Sequence, residues 1–150
     1  MEGYMARFLT ELIVKKRPDN LWELTEDLEY RVGSEDSKEI IIVRKGMSTD
    51  FASIPWGLRN LLPKDSYYTN GSVLHDALYR YRGMLPAGWF SGPEKIYSQK
   101  DCDSIFLEAM QVLGVPWWKR NIMYLALRAF GWISFKKNSP GRTPPEASQI

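Results

Sequence analysis

The hydrophobic pattern of this 150-residue chain changes period once, near residue 50. That switch limits the fold more than any count of residue types. Before it, residues 6–16 hold Phe8, Leu12, Ile13 and Val14. Residues 21–32 interleave Trp22, Leu24, Leu28, Tyr30 and Val32 with polar residues, partly at period two. A polar turn, Gly33 to Ser37, then leads into Ile40-Ile41-Ile42-Val43, a β-branched run suited to a buried strand and stopped by Gly46. After the switch the spacing is helical. Leu74, Leu78 and Tyr81 predict a helix over 72–82 with Ser72 as a cap. The glycines and prolines of 83–97 predict a loop. Ser98 and Asp101 read as a capping box for a helix carrying Ile105, Phe106, Ala109, Met110 and Leu113, ended by Gly114. Pro116 suits the first position of a third helix running to Gly131. The expected architecture is α+β: a small N-terminal antiparallel β-sheet followed by three packed α-helices. Residues 1–137 form one domain in this reading, and 138–150 a flexible tail.

Composition removes whole classes. The chain is too rich in aromatics to be disordered, and it has no apolar run of membrane-spanning length. The single cysteine, Cys102, excludes an internal disulfide and a cysteine-rich zinc cluster. The N-terminus does not resemble a secretory leader, so a cytoplasmic protein is the expectation. The net charge of +2 conceals an asymmetry. Residues 1–108 hold 14 Lys and Arg against 17 Asp and Glu, whereas 109–150 hold six bases and one acid, Glu146. Such a basic end suggests either an anionic partner or a solvated helix face.

His75-Asp76-Ala77-Leu78-Tyr79 is the strongest chemical signal, because His75 is the only histidine. On a helix His75 and Tyr79 share a face, Arg82 lies near it, and Asp76 pairs with Arg80 four residues on. A histidine acting as general base needs an acceptor on its second ring nitrogen. Asp103, one helix later, is the preferred partner, ahead of Asp101, which the capping box explains, and Asp50. Thr49, Asp50 and Ser53, in the segment joining strand to helix, are binding candidates; as a plain turn they would bond nearby amides while Phe51 and Ile54 plug the core. Zinc is disfavoured with one His and one Cys. A calcium or magnesium ion held by Asp50, Asp76 and backbone carbonyls is the better metal expectation, and no cofactor is otherwise implied.

At the basic end, Trp117-Trp118-Lys119-Arg120 is followed by Met123, Tyr124, Phe130 and Trp132. The preferred expectation is structural: Met123, Leu127 and Phe130 pack on the preceding helix, and one or both tryptophans cover the core edge. The alternative is an aromatic and basic surface for lipid headgroups or a partner protein. No specific nucleic-acid contact is expected.

Four motifs together resemble a known family. They are Thr49-Asp50-Phe51-Ala52-Ser53-Ile54-Pro55 after a strand and Gly46, His75-Asp76-Ala77-Leu78-Tyr79, Asp103 to Met110, and Met123 to Gly131. In this order they are similar to the domain of unknown function 1353, found mostly in tailed bacteriophages and prophages. Arg44 and Lys45 depart from the family's Pro-Ala, and Cys102 from its Ala. The resemblance implies a phage origin and supplies no activity. A shorter resemblance links His75, Asp76, Tyr79 and Asp103 to the dyad helix of secretory phospholipases of the A-two type. It implies His75 as base, Asp76 as calcium ligand, Asp103 as orienter and Tyr79 as its support, although no Gly-rich calcium loop precedes the dyad here.

Two functions follow as expectations. One is a virion or assembly component, tail-associated, with a structural His-Asp network and other phage proteins as partners. It would reside in the host cytoplasm during phage production or be packaged in the virion. The other is a small His-Asp hydrolase, calcium-assisted, acting on a lipid or cell-envelope substrate.

Overall fold

The β-branched run at 40–43 forms the middle strand of one of two small sheets. A computed structural model of the protein describes residues 7–49 and 68–141. One antiparallel sheet has the order β1 (Val14–Lys16), β2 (Trp22–Leu24) and β5 (Ser48–Thr49). The other has the order β3 (Leu28–Arg31), β4 (Ile40–Val43) and β6 (Phe90–Ser91), also antiparallel. Ile41, Ile42 and Val43 are all buried, as a strand covered on both faces requires. Phe8 joins this sheet through a single bridge to Tyr30.

The expected single sheet is thus two. The 21–32 segment breaks at Thr25 to Asp27, where the chain leaves one sheet for the other. Asp27 fixes the break, accepting from the Lys45 amide at 2.8 Å and from Arg44 Nη1 at 3.0 Å. The Lys45 amide first, and the Arg44 guanidinium after it, outweigh desolvation and hold the Asp27 carboxyl below its ordinary range. The expected 83–97 loop contains β6, which pairs with β4 through Ile40↔Ser91 and Ile41↔Phe90. Among the described residues of the 6–16 segment, only Val14–Lys16 forms a strand.

The helices are α1 (Tyr68–Arg80), α2 (Gln99–Val112), α3 (Trp117–Phe130) and the short α4 (Trp132–Lys137). α1 starts four residues before Ser72. Its buried face, Val73, Leu74, Ala77 and Leu78, packs on the strands and on α2. Gly71 lets α1 approach α2 closely, since a Cβ there would lie 2.1 Å from the Met110 Cε. Past α1, Arg82 and Gly83 are both left-handed (φ 51° and 74°) and reverse the chain. Gly83 has no alternative, because a Cβ would strike the Tyr97 carbonyl. The predicted capping box opens α2: Ser98 Oγ accepts from the Asp101 amide at 3.0 Å, and Asp101 accepts from the Ser98 amide at 2.9 Å. Pro116 is the residue before α3 rather than its first residue. Phe106, Met110, Val115, Met123 and Leu127 form a second apolar cluster between α2 and α3.

Candidate functional site

α1, α2 and α3 each send a polar side chain to one buried point. Asp103 of α2 lies there, fully enclosed. Its Oδ1 accepts from the Tyr79 hydroxyl at 2.5 Å and faces His75 Nε2 at 3.0 Å, both from α1. Its Oδ2 accepts from Arg128 Nη1 of α3 at 2.9 Å. Each arrival follows from local geometry. His75 and Tyr79 share a face by their four-residue spacing, and the capping box sets the register of α2 so that Asp103 points inward. Arg128 lies on the side of α3 toward α2 and is one-third exposed.

Because the carboxylate accepts on both oxygens, His75 Nε2 is the donor to Oδ1. His75 is fully buried, and Nδ1 has no hydrogen-bond partner among the described residues. The ring is walled by Tyr79 at 4.0 Å and Phe106 at 5.1 Å between centroids. Burial first, then the bond to Asp103 and its charge, push the Tyr79 phenol far above its ordinary range. Gln99 Nε2 donates to the same hydroxyl at 3.4 Å. Gly131 leaves room for it, since a Cβ there would lie 2.4 Å from the Tyr79 oxygen. Cys102 is buried beside this cluster. Burial, and then the charges of Asp103 and Asp101, push its thiol well up, which keeps it protonated and unreactive.

His75, Tyr79 and Asp103 therefore meet. The other sequence candidates lie elsewhere. Asp76 turns to Arg80, 3.4 Å away, and Arg80 also donates to the Ser48 carbonyl at 2.5 Å, tying the end of α1 to β5. Thr49 is buried in β5, opposite Trp22. Arg82 lies past the end of α1 with its guanidinium 5.8 Å from the Phe135 ring centre. Asp50 and Ser53 lie outside the described residues. Among the described residues no group of three His, Cys, Asp or Glu side chains could hold a metal ion.

The sequence reading passed over Arg128 and Gln99. A signal for Arg128 existed: it is the only charged residue between Arg120 and Lys136, set among Ala126, Leu127 and Ala129. A charge in so apolar a stretch needs a partner.

The expected packing of the aromatic end is corrected. Met123 and Leu127 do face α2, but Phe130 is 63% exposed, Trp117 68% and Trp118 44%. The side of α3 facing the core is filled by Met123 and Leu127, which leaves these rings no inward position.

A family model described as a protein of unknown function, DUF1353, matches residues 22–127. A putative lipoxygenase 5 from Oryza sativa subsp. japonica is 30% identical over 84 residues, covering 53% of this chain and 9% of that protein. The chain therefore corresponds to only a small part of the curated relative it matches. No solved structure matches it.

Proposed function

The chain belongs to the DUF1353 family of proteins of unknown function, and from that membership we propose that it is a bacteriophage virion or assembly component, tail-associated, in which Asp103, His75, Tyr79 and Arg128 lock three helices together. The observation that carries the structural role is burial: His75 and Asp103 are both fully enclosed. A buried polar cluster gathered on one carboxylate selects one packing over its near neighbours. The phage setting rests on the motif resemblance, and other phage proteins are the partners it implies, met in the host cytoplasm or in the assembled particle. Two measurements test the reading together. Mass spectrometry of purified particles against host lysate should find the chain enriched with the particles. His75→Ala should lower the melting temperature by several degrees without changing any hydrolytic rate. An unchanged melting temperature rejects the lock, and absence from particles and from assembly intermediates rejects the setting.

One observation favours a second reading. A histidine with one nitrogen on a carboxylate and the other without a partner among the described residues has the arrangement of a general base. In that reading His75 activates water, Asp103 orients it, Tyr79 supports Asp103, and calcium assists at Asp76 on a lipid or cell-envelope ester or amide. A hydrolase panel with and without calcium decides it. Equal rates for wild type and His75→Ala in every assay would sink it.

A further inference from the structure

α3 is apolar on two opposite sides. Met123 and Leu127 face the core, whereas Trp118, Ile122, Leu125, Ala129 and Ile133 follow at spacings of four, three, four and four on the outer side. Gly131 keeps right-handed helical angles (φ −64°, ψ −23°), so the outer stripe runs from α3 into α4. Leu125 is 64% exposed, and Trp118, Ile122 and Ile133 are each more than 40% exposed. At each end a tryptophan stands under a lysine: Lys119 Nζ is 5.4 Å from the Trp118 ring centre, and Lys136 Nζ is 5.5 Å from that of Trp132. The charge carried by α3 and α4 themselves has one sign. Lys119, Lys136 and Lys137 are the bases near the stripe, Arg120 lying on the core side with its guanidinium on the Val115 carbonyl at 3.1 Å, and no acidic residue occurs between Glu108 and Glu146. Arg128, the remaining base of α3 and α4, is engaged by Asp103.

We propose that the outer face of α3 and α4 docks in the plane of a phospholipid bilayer rich in anionic headgroups. The one-signed charge selects this occupant. Two copies meeting through this face would set basic flank against basic flank with no acid to offset it. Base stacking would use the tryptophans but leave the aliphatic middle of the stripe, Ile122, Leu125 and Ile133, without a role. A bilayer surface takes all three components: aliphatic side chains at the acyl boundary, tryptophans at headgroup level, and lysines on the phosphates. No helix among the described residues is long and apolar enough to cross a membrane, so these helices would lie on the surface rather than span it. The proposal does not depend on the role of His75.

The test is flotation of the full chain with vesicles of phosphatidylglycerol mixed into phosphatidylcholine, compared with phosphatidylcholine alone. The chain should float with the anionic vesicles at low salt and bind the neutral ones at least about tenfold more weakly. Replacing Ile122 and Leu125 by Asn should abolish flotation while leaving the melting temperature within a degree or two of wild type, since both side chains are exposed. Lys136→Gln and Lys137→Gln should each weaken binding about fivefold. Absence of flotation with anionic vesicles overturns the proposal, as does flotation indifferent to the Asn variants. Two further results overturn it: a lipid-free dimer in sedimentation that the Asn pair dissociates, or a single-stranded oligonucleotide bound more tightly than the anionic vesicles.

Discussion

α2 carries two carboxylates five residues apart that solve one problem at different depths. Asp103 gathers Tyr79, Arg128 and His75. Glu108 gathers the Tyr30 hydroxyl at 2.8 Å, the Gly33 amide at 2.8 Å and the Arg7 guanidinium. Each therefore takes a tyrosine, an arginine and one further donor. Asp103 is sealed between helices, whereas the Glu108 side chain is 28% exposed and ties α2 to the β3 end of its sheet. The difference teaches where energy is stored. A charge at the rim that loses a partner can recruit water. A charge in the interior cannot, and the groups around it are stranded with it.

The largest expected effect follows directly. Asp103→Ala should destabilise the fold by about 3–5 kcal/mol, because it strands buried His75 and Tyr79 donors. Glu108→Ala should cost about 1–2 kcal/mol. Urea denaturation of both variants measures the gap, and equal losses would dissolve the distinction between them. Next in size, Arg128→Met should cost about 2 kcal/mol by removing a charge-assisted bond from an enclosed carboxylate. A double-mutant cycle with Asp103→Ala should show the two losses to be far from additive.

At alkaline pH the two clusters should behave alike. Burial is the largest cause raising the phenols of both Tyr79 and Tyr30. Above about pH 10 the unfolded chain releases these protons while the folded chain keeps them, so stability falls as pH rises. Tyr79→Phe and Tyr30→Phe should each flatten that fall by up to about 1.4 kcal/mol per pH unit in denaturation series run from pH 9 to 11. A flattening seen in only one variant would show that the partners, rather than burial, govern the phenols. The smallest effect is Gly131→Ala, which crowds the Tyr79 oxygen without touching Glu108. A loss of about 1 kcal/mol is expected, relieved only in part in the Tyr79→Phe background, because a Cβ there would also lie 2.5 Å from the Leu127 carbonyl oxygen.

Much of this was legible in the chain. The capping box of Ser98 and Asp101 and the Asp76 and Arg80 pair follow from helical spacing, and the meeting of His75 with Asp103 from the need of a histidine base for a carboxylate on the next helix. Arg128 was hidden because its partner lies 25 residues away on another helix, and a helical arginine ordinarily extends into water. β6 was hidden because Phe90-Ser91 between two glycines has no local strand pattern; its conformation comes from pairing with β4. The break at Thr25 to Asp27 was masked by polar residues that preserve the period of two. The exposed tryptophans were misjudged for a different reason. Hydrophobicity says that a ring prefers an apolar neighbour, but it does not say that the neighbour belongs to the same molecule.

Cys102 has a consequence of its own. It is enclosed beside Asp103, with its thiol held protonated by burial and by neighbouring negative charge. As the only cysteine in the chain, fully buried in the main core, it can meet a thiol reagent only when the packing around the start of α2 opens. Its labelling rate is thus an internal clock for that opening, and a variant that loosens the cluster would be read as a faster tick long before the protein melts.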